Sequence, residues 1–382
     1  MQQAEVSPQH VIRTYVQKLS LSHFRNYQFA SFEVDAGPVV LIGPNGAGKT
    51  NILEAISLLS PGRGLRRAVL ADIDNVAENT PWAISAEICG LQGITTLGTG
   101  RSQENEDAAD KRIVKIDGKV VRGQTELAKY FTAIWLTPEM DTLFIEGGTA
   151  RRKFLDRLVY AFDTDHVSRV NTYDYAMRER NRLLQIGRSD PMWLSALEGK
   201  MAEHGIAIAV ARADATDRLN NVMVCSEHSF PKAQLSLSGI VETALAENSA
   251  LIAEEKFKEI LLQNRGQDAS IGRALAGIHR THVEVMHNKK NMSAERCSTG
   301  EQKALLMSII LAQAKAGVAW YGKVPVLLFD EVASHLDSIH RNELFTVLSE
   351  LGIQFWLTGT DREIFSGLKA RFLHIENGII KV

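Results

Sequence analysis

Gly43-Pro44-Asn45-Gly46-Ala47-Gly48-Lys49-Thr50 fits the spacing G-x-x-x-x-G-K-[ST], a pattern built to capture a polyphosphate. Glycines let the backbone wrap close to phosphate oxygens, so that successive N–H groups point inward. A helix opening near Lys49 adds the positive end of its dipole. In that geometry Lys49 reaches the β and γ phosphates, and the Thr50 hydroxyl can ligate Mg²⁺. The second half of such a site is an acid at the end of another buried strand, and Val326-Leu327-Leu328-Phe329-Asp330-Glu331 supplies it. Asp330 is expected to hold Mg²⁺ beside Thr50, and Glu331 to orient or deprotonate the attacking water. Taken singly, each segment has a plain reading: a Gly-rich turn with a surface lysine, or a strand that merely ends in acids. Together they predict a nucleoside triphosphatase.

A third segment lies between the two. Cys297-Ser298-Thr299-Gly300-Glu301-Gln302 precedes an apolar-periodic run through Leu305, Leu306, Ile309, Ile310 and Ala314. Ser298 and Glu301 stand at capping-box spacing, so Ser298 is expected to open the helix. The free N–H groups and hydroxyl there would form a second phosphate-binding end, although an ordinary capped helix has the same sequence features.

These residues need a scaffold. The run Pro38–Ile42 reads as a strand buried on both faces, and a helix follows from about Lys49 with Ile52, Leu53, Ile56 and Leu59 on one stripe. Residues 11–42 read as strands, as do 82–90 and 112–121, the latter folded about Asp117-Gly118. Ser102–Asp110 reads as a solvated loop tip. From about residue 149 to 228 the pattern is helical. Leu194, Leu197, Met201, His204, Ile208, Ala211, Ala215, Leu219 and Val222 form an a/d-type seam, best satisfied by a helical hairpin or small bundle. Strand signals return in 324–331 and 353–360, and in a terminal hairpin turning at Asn377-Gly378. The expected fold class is α/β. A mixed-sheet ATPase domain with flanking helices is made from both ends of the chain, 11–148 and 277–382. A helical lobe, 149–276, is inserted between them.

Composition agrees with an ordinary globular chain: 382 residues, 45% apolar and 23% charged. Lys plus Arg is 43 and Asp plus Glu 45, a net charge of −2, which excludes a uniformly basic coat for nucleic acid but not a local patch. Cys89, Cys225 and Cys297 form no CxxC, which argues against a disulfide scaffold and for a cytoplasmic protein. The opening decapeptide lacks the order of a secretory signal. Apolar runs such as Val326–Phe329 fall far short of the roughly 20 residues that span a bilayer, so no membrane partner is expected.

Ser298–Gln302 is similar to the Ser-Gly-Gly-Gln signature of ABC-type ATPases, in which the signature of one subunit closes on ATP bound by the other. Ser334-His335-Leu336-Asp337 resembles that family's dimer-contact loop, with Asp337 in the matching place. Four further segments narrow the resemblance to the RecF family of recombination and gap-repair ATPases. They are Leu19–Tyr27, ending in Phe24-Arg25-Asn26-Tyr27; Pro138-Glu139 with Gly148 and Arg151–Asp156; Arg180–Leu184; and Gly277–Arg280. The sequence departs from it at Met140, where an acid is usual, and at Thr281-His282, where an acidic pair is common. Thr358-Gly359-Thr360-Asp361 lacks the switch histidine of transporters. The resemblance implies binding of ATP and Mg²⁺ by Gly43–Thr50 with Arg25 and Asn26, and Ser298, Thr299, Gly300 and Gln302 acting in trans. It also implies weak, DNA-stimulated ATP hydrolysis and an ATP-dependent homodimer that clamps duplex DNA next to a single strand. RecR is the implied partner, with RecO and RecA downstream.

Clustered cations are candidates for phosphate contact: Arg63, Arg66 and Arg67; Arg151, Arg152, Lys153 and Arg157; and Lys289 with Lys290. Such runs are also common on plain solvated faces. His279, His282 and His287 fit no zinc spacing well and read as hydrogen-bonded structural residues. Three other functions share parts of this pattern. A transporter-type subunit needs roughly half the separation found between Thr50 and Ser298. An SMC or double-strand-break-repair relative needs long coiled-coil arms. A non-catalytic module would not need Lys49, Asp330 and Glu331 together.

Overall fold

The computed structural model describes residues 14–75, 80–90, 93–102, 111–187, 190–321 and 325–381. The expected loop tip 102–110 lies outside them except for Ser102, as does the N-terminal stretch. In chain order the first elements are β1 (Tyr15–Phe24), β2 (Tyr27–Glu33), β3 (Val39–Ile42) and α1 (Lys49–Leu58). Then come β4 (Ala83–Gly90), β5 (Gly93–Arg101), β6 (Arg112–Ile116), β7 (Lys119–Val120) and β8 (Ala133–Leu136). The middle holds α2 (Gly148–Tyr160), α3 (His166–Ile186), α4 (Pro191–Cys225), β9 (Ala233–Ser238) and α5 (Ile240–Glu247). It continues with α6 (Ala250–Gln263), α7 (Arg265–Ile271), β10 (His282–His287) and β11 (Met292–Ser293). The chain closes with α8 (Thr299–Ala316), β12 (Val326–Phe329), α9 (Ser338–Leu351), β13 (Phe355–Gly359), β14 (Arg371–Glu376) and β15 (Ile379–Lys381).

Contacts divide these elements into two units. The first comprises the chain up to Asp141, Ser226–Phe230 and Leu306–Val382; the second is Thr142–Cys225 with Pro231–Leu305. In the first unit, a six-stranded sheet runs in the order β15-β14-β3-β13-β12-β8. Every pairing in it is parallel except β14 with β15. Strands β3, β12 and β8 are buried along their whole length, which is why they are uninterrupted apolar runs, and β13 is as deeply buried but apolar only from Phe355 to Leu357. A second sheet, β2-β1-β4-β5-β6-β7, is antiparallel and alternates buried with exposed positions. Its inner face, α1 and one face of the mixed sheet share a single core through Leu19, Phe24, Ile52, Ile56, Trp135 and Trp356.

The second unit contains the expected hairpin, in which α3 packs along α4, and the seam of α4 is buried at Leu194, Leu197, Met201, Ile208, Ala215 and Leu219. It is not purely helical. β9, β10 and β11 form an antiparallel sheet, and β9 lies inside the segment expected to be a helical lobe. This unit also carries the chain on to residue 305, beyond the 276 at which the lobe was expected to end.

Candidate nucleotide site

β13 lies between β3 and β12 in the mixed sheet, so three parallel strands end side by side, where open parallel sheets bind ligands. The loop after β3 is Gly43–Thr50. Gly46 and Gly48 take positive φ angles of 80° and 112°. A Cβ on Gly48 would sit 2.6 Å from Asn26 Nδ2 and 2.7 Å from the Tyr27 hydroxyl, so only glycine fits there. Those neighbours come from the turn between β1 and β2 and clasp the loop. Asn26 Nδ2 donates to the Ala47 carbonyl (2.9 Å), and the Tyr27 hydroxyl donates to the Gly48 carbonyl (3.0 Å). Burial pushes the Tyr27 phenol well above its usual value and keeps it a donor.

Lys49 is buried at the head of α1, and its ammonium donates to the Gly43 and Pro44 carbonyls at 2.7 and 2.9 Å. Burial lowers its pKa, opposed by the nearby carboxylates of Glu331 and Asp330. The Thr50 hydroxyl lies 2.9 and 3.0 Å from the two oxygens of Asp330, at the end of β12. The sequence separates these residues by 280 positions. Asp330 is a buried carboxylate whose pKa burial raises, partly offset by the hydroxyls of Thr358 and Thr50. An all-oxygen donor set around a carboxylate of this kind suits Mg²⁺. Glu331 follows in left-handed backbone conformation, φ 55°.

Arg25 holds Glu54 of α1 in a bidentate pair (2.9 and 2.7 Å) and donates to the Asp72 carbonyl. The structure places its guanidinium on that support, while Asn26 touches the loop itself. Arg63, Arg66 and Arg67 are all exposed, and Arg66 donates to Asn51 and Glu54 on the same helix. Among the second unit's cations, Arg151 is buried and spent on the Phe144 carbonyl (2.6 Å) and Glu295 (2.5 Å). Arg152 is half-buried on the Thr281 carbonyl, and Lys153 and Lys289 are exposed. His279 is held between the Tyr173 hydroxyl (2.9 Å) and the Ala274 carbonyl (3.0 Å), a structural placement.

The capping box at Ser298 is formed. The Ser298 N–H and hydroxyl both donate to Glu301 Oε2 at 3.0 Å. Lys290 contacts the other oxygen of Glu301, and these hydrogen bonds hold that carboxyl at about 2. Ser298, Thr299 and Gly300 are exposed at the start of α8, and the buried Gln302 amide anchors the turn on the Ala294 and Cys297 carbonyls. Asp337 caps α9 by accepting from the Ile339 and His340 N–H groups at 2.9 and 3.0 Å.

One further residue joins the site, which the sequence shows only within the Thr358–Asp361 segment that lacks a switch histidine. Thr358, on β13, donates to Asp330 Oδ1 (2.8 Å) and accepts from the Glu331 N–H (2.8 Å). Leu357 pairs with Phe329 in the sheet, which sets Thr358 beside Asp330. The only signal in the sequence is a threonine at the end of an apolar strand.

A phosphate loop between a buried strand and a helix, with an acid closing a neighbouring parallel strand, defines a P-loop ATPase head of the ABC and SMC type. The chain matches the family model for the RecF/RecN/SMC N-terminal domain over residues 15–377. It belongs to the RecF family of DNA replication and repair proteins. It is 44% identical to the DNA replication and repair protein RecF of Rhizobium rhizogenes over 370 residues, 96% of this chain and 98% of that protein. It is 45% identical to RecF of Agrobacterium fabrum (94% and 96% covered) and to that of Brucella suis biovar 1 (96% of both). The fold is that of the recombination mediator protein RecF solved with ATP in the RecFOR pathway, with a TM-score of 0.84, 24% identity and 97% of both chains covered. An SMC head bound to the C-winged helix domain of ScpA is more distant, with a TM-score of 0.52, 14% identity, and 96% and 97% covered. Among the described residues, no helix is long and apolar enough to cross a membrane.

Proposed function

We propose that the chain is an ATP-hydrolysing DNA clamp of recombinational gap repair and replication restart, which dimerises on ATP and assists RecA loading with RecR and RecO. The observation that carries this reading is the meeting of Thr50 with both oxygens of Asp330 beside the Gly43–Thr50 loop, with Glu331 next in the chain. Lys49 leaves the Gly43 and Pro44 carbonyls to meet the β and γ phosphates, and the loop amides bind the same oxygens. Thr50 and Asp330 are the residues that would hold Mg²⁺, which when bound would supply neutralisation of phosphate charge. Glu331 accepts a proton from the attacking water, which forms a bond to the γ-phosphorus as the bond to the β-phosphate oxygen breaks.

The exposed Ser298 turn supports closure on a second copy's triphosphate, where its N–H groups would meet the γ-phosphate. Nucleotide then bridges two copies, and hydrolysis removes the group both share. Turnover is slow and DNA-stimulated, on duplex DNA next to a single-stranded gap, in the cytoplasm. Of the basic clusters, exposed Arg63 and Arg67 are the first choice for DNA phosphates, and Arg151 is the last because it is buried and paired.

Two variants test the reading. Lys49→Ala is expected to abolish ATP binding in a fluorescent-nucleotide titration. Glu331→Gln is expected to bind ATP, accumulate as a dimer and hydrolyse poorly. Wild-type turnover by Glu331→Gln contradicts the catalytic assignment.

A further inference from the structure

We infer that Thr358 is a positioning residue for ATP hydrolysis, one hydroxyl that sets both the Asp330 carboxylate and the Glu331 backbone. The inference rests on the ATPase reading above. A threonine hydroxyl offers one proton and two lone pairs. Here the proton goes to Asp330 Oδ1 and a lone pair receives the Glu331 N–H, each at 2.8 Å. Thr358 is itself buried, so water does not compete for these bonds.

Each bond has a separate consequence. Asp330 Oδ1 is one of the two oxygens facing the Thr50 hydroxyl, so the bond from Thr358 fixes the carboxylate's rotation relative to Thr50. The Glu331 bond fixes a backbone that would otherwise relax. A non-glycine residue in left-handed conformation is held against a steric cost, and persists where its surroundings over-determine it. Glu331 at φ 55° is clamped on both sides. Its N–H donates to Thr358, and its carbonyl accepts from the Ser334 hydroxyl at 2.6 Å. The direction in which the Glu331 side chain leaves the strand end follows from that peptide, so Thr358 couples the metal-facing acid to the water-facing acid.

The test compares wild type with Thr358→Val, Thr358→Ser and Glu331→Gln, measuring steady-state hydrolysis and fluorescent-ATP affinity in EDTA and in Mg²⁺. Valine keeps the shape and removes the hydroxyl. Thr358→Val is expected to lower kcat about 10- to 100-fold, the usual effect of losing a partner just outside a metal's own ligands. Its ATP affinity in EDTA should match wild type, its gain in affinity on adding Mg²⁺ should shrink, and Thr358→Ser should restore both. Wild-type kcat and Mg²⁺ gain in Thr358→Val, with Glu331→Gln inactive, overturn the inference while leaving the ATPase reading intact. A fall in kcat matched by a fall in EDTA affinity and melting temperature, with no rescue by serine, also overturns it. Equal turnover by Glu331→Gln and wild type sinks the ATPase reading instead.

Discussion

At the scale of single residues, the site is a set of short contacts that leave little freedom. Gly48 carries the clearest constraint, since its φ of 112° and the nearness of Asn26 and Tyr27 both exclude a side chain. Gly48→Ala is expected to destabilise the chain by more than about 1 kcal/mol, because alanine is placed where φ is positive, and to weaken ATP binding by displacing the loop. Urea unfolding and a nucleotide titration measure the two effects. The turn that holds Gly48, Phe24-Arg25-Asn26-Tyr27, is part of what makes the sequence resemble the RecF family, and its contacts give a reason: Asn26 and Tyr27 grip the phosphate loop while Arg25 grips the helix behind it.

At the scale of elements, two buried ionic hubs lock the helices of the second unit. Arg180 of α3 meets Glu198 of α4 (2.9 Å), Asp268 of α7 (2.6 Å) and the Leu261 carbonyl. Arg180→Ala leaves both carboxylates without this partner and is expected to cost about 3–5 kcal/mol in denaturant unfolding. Arg212 of α4 holds Asp156 of α2 with two bonds of 2.8 Å, and His166 adds a third contact. Burial alone would raise the Asp156 pKa, but Arg212 and His166 outweigh it and bring it to about 2, below the ordinary 3.8. A depressed carboxyl stabilises the fold above the ordinary value and loses that contribution as pH falls toward the folded one. Stability is therefore expected to decline between about pH 4 and pH 2, and less steeply in Asp156→Asn, as read from urea midpoints across that range.

Much of this was legible in the sequence. The strands β3 and β12 are apolar runs, the α1 stripe is clear, and the terminal hairpin turns at Asn377 and Gly378 with φ of 48° and 75°, as an Asn-Gly turn requires. Other features depend on distant partners. β5 does alternate, burying Thr95, Leu97 and Thr99, but its glycines and threonines dilute the hydrophobic signal. β9 gains its ladder only by pairing with β10, a long way along the chain. Thr358 becomes visible only with the sheet register, and Arg151 counts as a free cation until Glu295, 144 positions away, is seen against it.

At the scale of the whole molecule, the proposed function requires a pair of copies joined through nucleotide. Under the proposed function Ser298 would serve the neighbour's nucleotide, so Ser298→Arg should leave ATP binding by a single copy unchanged while preventing association. The most direct measurement is sedimentation of Glu331→Gln at one protein concentration, without nucleotide, with Mg²⁺ and ATP, and with gapped DNA added, repeated with Ser298→Arg in the same background. The expected result is a species of twice the chain mass that requires ATP, strengthens with gapped DNA and is absent in the Ser298→Arg variant. A chain that stays monomeric under every condition, or a dimer indifferent to nucleotide and to Ser298→Arg, would contradict the clamp.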